Sequence, residues 1–213
     1  MQQNKNKLKK KNNLKVIIAS NNKGKIKEFR ALLPNYEVFA FRDLLGDIDI
    51  VEDGNSFKAN AIIKAKTINN ELKIKYPNEK FLVISDDSGI SVPILNNEPN
   101  IYSARYAGIG SSDKQNNEKL IKNLKFKNIS KTKAFYTASI CISYKDDIYT
   151  THGWMHGDVI TQELGTNGFG YDPLFIPNNH TLTLGQMQFE NKKDLSHRTK
   201  ALNLAMKVLK VIL

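Results

Sequence analysis

The stretch from Val16 to Pro34, VIIASNNKGKIKEFRALLP, decides how the chain is read. A short apolar run, Val16–Ala19, breaks into Ser20-Asn21-Asn22-Lys23-Gly24-Lys25. Apolar residues then return at helical spacing as Ile26, Phe29 and Leu32. That order predicts a buried strand, a polar turn and a helix that Pro34 stops. Gly24 is expected to supply the turn and Lys25 to open the helix. Such a turn brings backbone N–H groups and lysines together, which suits a phosphate. It is not a P-loop, because that pattern needs an earlier glycine and a hydroxyl residue where Ile26 stands.

The same alternation continues outward. Tyr36–Phe39 has the composition of a second short strand. Asn55 or Ser56 then caps a long helix that buries Phe57, Ala61, Ala65, Ile68 and Leu72. Phe81–Ile84 is an apolar strand expected to end at Ser85-Asp86-Asp87-Ser88-Gly89. A helix over Asp113–Leu124 follows, then a half-buried strand around Cys141 with Tyr136, Ala138, Ile140 and Ile142 on one face. His152–Ile160 is its expected partner, and a glycine-rich loop, Gly165–Asp172, leads to a last helix capped by Ser196. Strands alternating with helices, plus one hairpin region, predict an α/β fold with a mixed sheet. Neither a repeat nor a Pro/Gly/Ser linker divides the 213 residues, so one domain is expected over residues 14–213.

Bulk composition narrows the function. Apolar content of 40% and charged content of 25% are ordinary for a globular protein. The sequence has no apolar stretch near the roughly 20 residues of a membrane helix, and its start lacks a signal-peptide core. The net charge is +11, but Lys5, Lys7, Lys9, Lys10 and Lys11 fall in a Lys/Asn-rich tail over residues 1–13, expected to be disordered. The remainder carries only +6, with lysines scattered along the chain, so a dedicated nucleic-acid surface is not expected. A positive field would equally attract a small polyanion such as a nucleotide. Cys141 is the only cysteine, which excludes an intrachain disulfide and fits a reducing cytoplasm, with the thiol acting as a small packing group.

Four clusters can carry chemistry. Asp86 and Asp87 repel each other, and a divalent cation would relieve that repulsion; hard oxygen ligands suit Mg²⁺. Glu52 and Asp53 precede the long helix, where they can favour its N-terminus or supply a further metal ligand. On that helix Asn60 and Lys64 share a face at i,i+4 spacing. In GFGYDP, Phe169 and Tyr171 could stack on a nucleobase, with Asp172 beside them. Ser196-His197-Arg198 opens the last helix as an anion or carbonyl-oxygen site. The histidines have no HExxH spacing, and no GxSxG elbow positions a serine nucleophile.

Taken in order, ASNNKGKIKEF, EDGNSFKANAIIKA, ISDDSGISV, IYSARYAG, GFGYDPLFIP and LSHRTKAL resemble the inosine triphosphate pyrophosphatase family. The resemblance runs from Lys15 to the C-terminus. It implies an elongated mixed α/β structure with flanking helices, two lobes with the active site in a cleft between them, and a homodimer. It also implies Mg²⁺-dependent cleavage of ITP, XTP and dITP to the monophosphate and pyrophosphate. Carried over by motif, Ser20, Asn21, Asn22, Lys23, Gly24 and Lys25 would bind the triphosphate, with Lys64 in support. Glu52 and Asp87 would bind the metal, Asp87 also accepting a proton, and Ser88 would contact substrate. Phe169, with Gly170 and Tyr171, would hold the base, whose edge Asp172, Lys192, His197 and Arg198 would read. Ala59 departs from the family pattern, which often has Glu there. A related pyrophosphatase for modified pyrimidines and a basic nucleic-acid binder are the competing readings.

Overall fold

The computed structural model describes residues 12–145 and 147–213. The tail expected over residues 1–13 lies outside them, apart from Asn12 and Asn13, which open the first strand. In chain order the elements are β1 (Asn12–Ile18), α1 (Lys23–Leu32), β2 (Tyr36–Ala40), α2 (Phe41–Leu45), α3 (Phe57–Lys75) and β3 (Phe81–Ser91). Next come α4 (Asp113–Phe126), β4 (Lys131–Tyr144), β5 (Asp147–Ile160), β6 (Phe175–Pro177), α5 (Phe189–Lys193) and α6 (His197–Ile212). The strands form one mixed sheet in the order β2-β1-β3-β4-β5-β6. The β1 strand runs parallel to β2 and β3, and the remaining pairs are antiparallel.

Strand alternation explains how the sheet is covered. Val16 and Ile18 of β1, Leu82 and Ile84 of β3, and Ala138, Ile140 and Ile142 of β4 pack against α1 and α6. Ile17, Ala19, Val83 and Cys141 point the opposite way, onto Ala61, Ala65, Ile68 and Leu72 of α3. The i, i+4, i+7, i+11 spacing on α3 presents that stripe, and the Ser56 hydroxyl caps the helix by accepting from Ala59 N–H at 3.2 Å. Each fully buried aliphatic side chain contributes about 1.5–3 kcal/mol. Burial pushes the Cys141 thiol up to about 12, which leaves it an inert packing group. A third core, with Ile90, Leu120, Leu124, Tyr136, Met155 and Phe175, fills the far end of the long β3–β5 strands beneath α4.

One boundary differs from expectation and matters for function. The apolar strand does not stop at Ile84; β3 continues through Asp86 and Asp87 to Ser91, paired throughout with β4. Adjacent strand residues face opposite sides, so the two aspartates are separated by the sheet itself. Their mutual repulsion, inferred from adjacency, is relieved by different partners on the two faces.

At Gly153 of β5 the first turn of α6 rests on bare backbone. A Cβ there would lie 2.2 Å from the His197 carbonyl oxygen and 2.6 Å from Ala201 N. Gly153→Ala is therefore expected to destabilise the protein by about 1–3 kcal/mol through overpacking. A lower urea midpoint at unchanged slope would show it.

Candidate active site

A cleft of about 340 Å³ opens where the α1, α3 and α6 ends meet the loop over residues 168–172. Of the sequence-predicted residues, Ser20, Asn21, Asn22, Lys25, Glu52, Lys64, Asp87, Ser88, Phe169, Gly170, Tyr171, Asp172, Lys192, His197 and Arg198 line it. Lys23 and Gly24 do not.

The Ser20–Lys25 turn is built differently from its sequence reading. The helix opens at Lys23, with Asn22 as cap accepting from Lys25 N–H at 3.1 Å. Gly24 thus lies inside the first helical turn. A Cβ there would meet the Phe169 ring at 2.7 Å, so the glycine serves close approach of that ring. Lys23 is exposed on the outer side.

On the α1/α6 side of β3, Asp86 is completely buried. Its Oδ2 accepts from Arg198 Nε at 3.2 Å and pairs with Lys25 Nζ at 2.7 Å. The Ser88 hydroxyl donates to the same Oδ2 at 3.0 Å and accepts from Arg198 Nη2 at 3.0 Å. Arg198 also reaches Glu28. Burial would raise the Asp86 carboxyl, but Arg198 and Lys25 overcome it and hold the group well below the usual range.

On the α3 side Asp87 meets a different set. The Asn60 amide donates to Oδ2 at 3.2 Å, while its carbonyl oxygen accepts from Gly54 N–H at 2.9 Å. Lys64 Nζ donates to Asp87 Oδ1 at 3.0 Å and to Glu52 Oε2 at 2.8 Å. Asn60 and Lys64, one turn apart, thereby fix both oxygens of Asp87 and tie the Glu52 loop to it. Burial and nearby Glu52 raise the Asp87 carboxyl above its ordinary value against the pull of Lys64 and Lys25. Lys64 stays charged, because its two carboxylates outweigh burial. Among the described residues no group of three or more His, Cys, Asp or Glu converges to hold a metal. Glu52 and Asp87 form a pair of hard oxygen donors already gathered on one cation, which fits an Mg²⁺ that completes its shell with water and phosphate.

The opposite wall comes from the glycine-rich loop and α5–α6. Asp172 accepts from Lys192 Nζ at 2.9 Å and from Phe169 N–H at 3.3 Å. Gly168, at φ +91°, is required there, since a Cβ would lie 1.9 Å from Asp172 Oδ2. Asp113, at the start of α4, accepts from Gly170 N–H at 2.7 Å and pins the loop. Of the two aromatics read as stacking candidates, Tyr171 is buried, and its hydroxyl donates to the Ser103 carbonyl at 2.8 Å. That commits Tyr171 to bracing the loop. Phe169 is half-buried, with the Arg198 guanidinium 5.7 Å from its ring centre, and remains the ring offered to a flat ligand.

His197 stacks on Tyr136 at 4.7 Å, and its buried Nδ1 has no hydrogen-bond partner. Burial and neighbouring Arg198 hold the imidazole well below 6.5, so it is neutral in the folded protein. The unfolded chain binds that proton more readily, so His197 is expected to make stability fall as pH drops below about 6.5. His197→Gln should flatten this part of a stability-against-pH curve from urea unfolding.

Sequence reasoning missed Glu28, Asp113 and Tyr136. Glu28 was open to discovery, because it sits three residues after Lys25 on the same helical face. Asp113 and Tyr136 gave no signal, since their partners Gly170 and His197 are distant in sequence.

Paired carboxylates on a cleft floor, cationic side chains on its walls and one half-exposed ring define an α/β site for a small polyanion bearing a flat group. A profile of the Ham1 family matches residues 16–208, and the chain belongs to that family. The dITP/XTP pyrophosphatase of Aliarcobacter butzleri is 60% identical over 201 residues, covering 94% of this chain and 100% of the relative. That of a Sulfurovum species is 53% identical over 199 residues, covering 93% and 95%. The solved Ham1 protein of Staphylococcus aureus superposes with a TM-score of 0.79 at 38% identity, covering 93% of this chain and 100% of that one. Among the described residues no helix is long and apolar enough to cross a membrane.

Proposed function

We propose that the protein hydrolyses deaminated purine nucleoside triphosphates, ITP, dITP and XTP, to the monophosphate and pyrophosphate. The observation that carries this reading is the convergence of Glu52 and Asp87 on Lys64, within one cleft that also holds Phe169 and Arg198. The relatives named above are dITP/XTP pyrophosphatases, which supports dITP and XTP among these substrates.

In this reading the first turn of α1 directs its positive dipole end and Lys25 toward the phosphates. Glu52 and Asp87 would hold Mg²⁺, which when bound neutralises phosphate charge. Ionised Asp87, made more basic by burial, takes the proton of the attacking water. Phe169 stacks on the purine. Lys192 and Arg198 donate toward a 6-keto oxygen, where the 6-amino group of adenine would set donor against donor. The protein would work as a cytoplasmic homodimer, with residues 14–213 as one two-lobed domain and without a dedicated nucleic-acid partner.

Product analysis tests the bond cleaved. Anion-exchange chromatography of an ITP digest is expected to show IMP and pyrophosphate in equal amounts. Accumulation of IDP and orthophosphate would contradict the reading.

A further inference from the structure

We propose that Lys64 is a stand-in cation that makes metal binding by Glu52 and Asp87 conditional on the nucleotide. The inference rests on the metal pair named under the proposed function. Lys64 Nζ touches both carboxylates, at 2.8 Å and 3.0 Å, and the residue is only 6% exposed. Asn60 fixes the other Asp87 oxygen, so the ammonium holds the one that faces Glu52.

Charge balance differs on the two sides of β3. Asp86 and Glu28 together meet Arg198 and Lys25, two charges against two. Glu52 and Asp87 share one ammonium, which leaves one negative charge over. That surplus attracts a dication, yet a dication between the two carboxylates would stand within a few ångströms of Lys64, and the like charges repel strongly in a buried site. The ammonium must therefore move when the metal enters. Its flexible four-carbon stem permits this, and the cleft it borders is where the phosphates are proposed to lie. A triphosphate gives the displaced ammonium a new anionic partner, whereas metal alone gives it none. Metal and nucleotide consequently bind with positive coupling, and Lys64 carries a share of it.

Electron paramagnetic resonance of Mn²⁺ titrations tests this on the full chain. Without nucleotide, Lys64→Gln and Lys64→Met are expected to bind Mn²⁺ about tenfold or more tighter than wild type, within the usual range of coupling factors. The glutamine variant keeps an amide donor for the carboxylates. Adding an α,β-methylene ITP analogue should tighten Mn²⁺ binding more in wild type than in either variant. Lysine-selective ¹⁵N NMR of the wild type needs no substitution: the Lys64 Nζ signal should shift with Mg²⁺ and analogue together and stay in place with Mg²⁺ alone. Equal Mn²⁺ affinity in wild type and both variants would overturn the stand-in role alone. Failure of all three proteins to bind Mn²⁺ even with the analogue present would overturn it together with the proposed metal pair.

Discussion

Asp87→Asn is expected to lower ITP turnover by about 10²–10⁴-fold with the fold retained. Asparagine matches aspartate in shape, but its amide offers one acceptor where Asp87 uses two, for Asn60 and Lys64. The variant also loses the proton acceptor and half of the charge that gathers a cation with Glu52. Pyrophosphate release measured beside a circular-dichroism melt separates lost chemistry from lost structure. In the wild type, activity requires ionised Asp87, so rate should be lost as the pH falls and the carboxylate is protonated. Asp87→Asn should lack the contribution of this group to the acid limb of its residual rate. Near-wild-type turnover would remove Asp87 from the mechanism.

Arg198→Met should cost stability on the scale of a broken buried charge network. Arg198 is 2% exposed and binds Asp86, Ser88 and Glu28. Removing it leaves Asp86 fully buried with Lys25 as its one ionic partner and its Oδ1 still without a hydrogen bond. Breaking a buried charge network in this way costs about 3–5 kcal/mol. For a chain of this length that is a fall of about 6–20 °C in Tm. The double variant Arg198→Met/Asp86→Asn should recover part of the loss, because it removes the stranded charge as well. A single-variant loss below about 1 kcal/mol, typical of a surface pair, would refute the hub role.

Legibility of each element in the sequence depends on the range of the interactions that form it. Helix α3 and the last helix were legible from the i, i+4 spacing of Ala61, Ala65, Ile68 and Leu72 and from the Ser196 cap, which are local signals. The mixed sheet followed from strands alternating with helices. The continuation of β3 through Asp86 and Asp87 was not legible, because charge in a strand core makes sense only with Arg198 and Lys64 in place. Gly24 misled for the same reason. Its neighbour, the Phe169 ring, comes from a loop far along the chain, so a contact glycine resembled a turn glycine. Tyr171 and Phe169 are alike in sequence, and only the Ser103 carbonyl separates a brace from a half-buried ring at the cleft. Apart from Lys23 and Gly24, the motif residues expected at the site line the cleft. Pairing Asp86 with Arg198 and Asp87 with Lys64 required the two faces of the sheet.

The most direct measurement is pyrophosphate release by the purified protein with Mg²⁺ from ITP, dITP, XTP, GTP and ATP under identical conditions. Rapid release is expected from the first three, with kcat/KM for ATP and GTP far lower. Equal activity on all five, or preference for ATP or GTP, would contradict the proposed function.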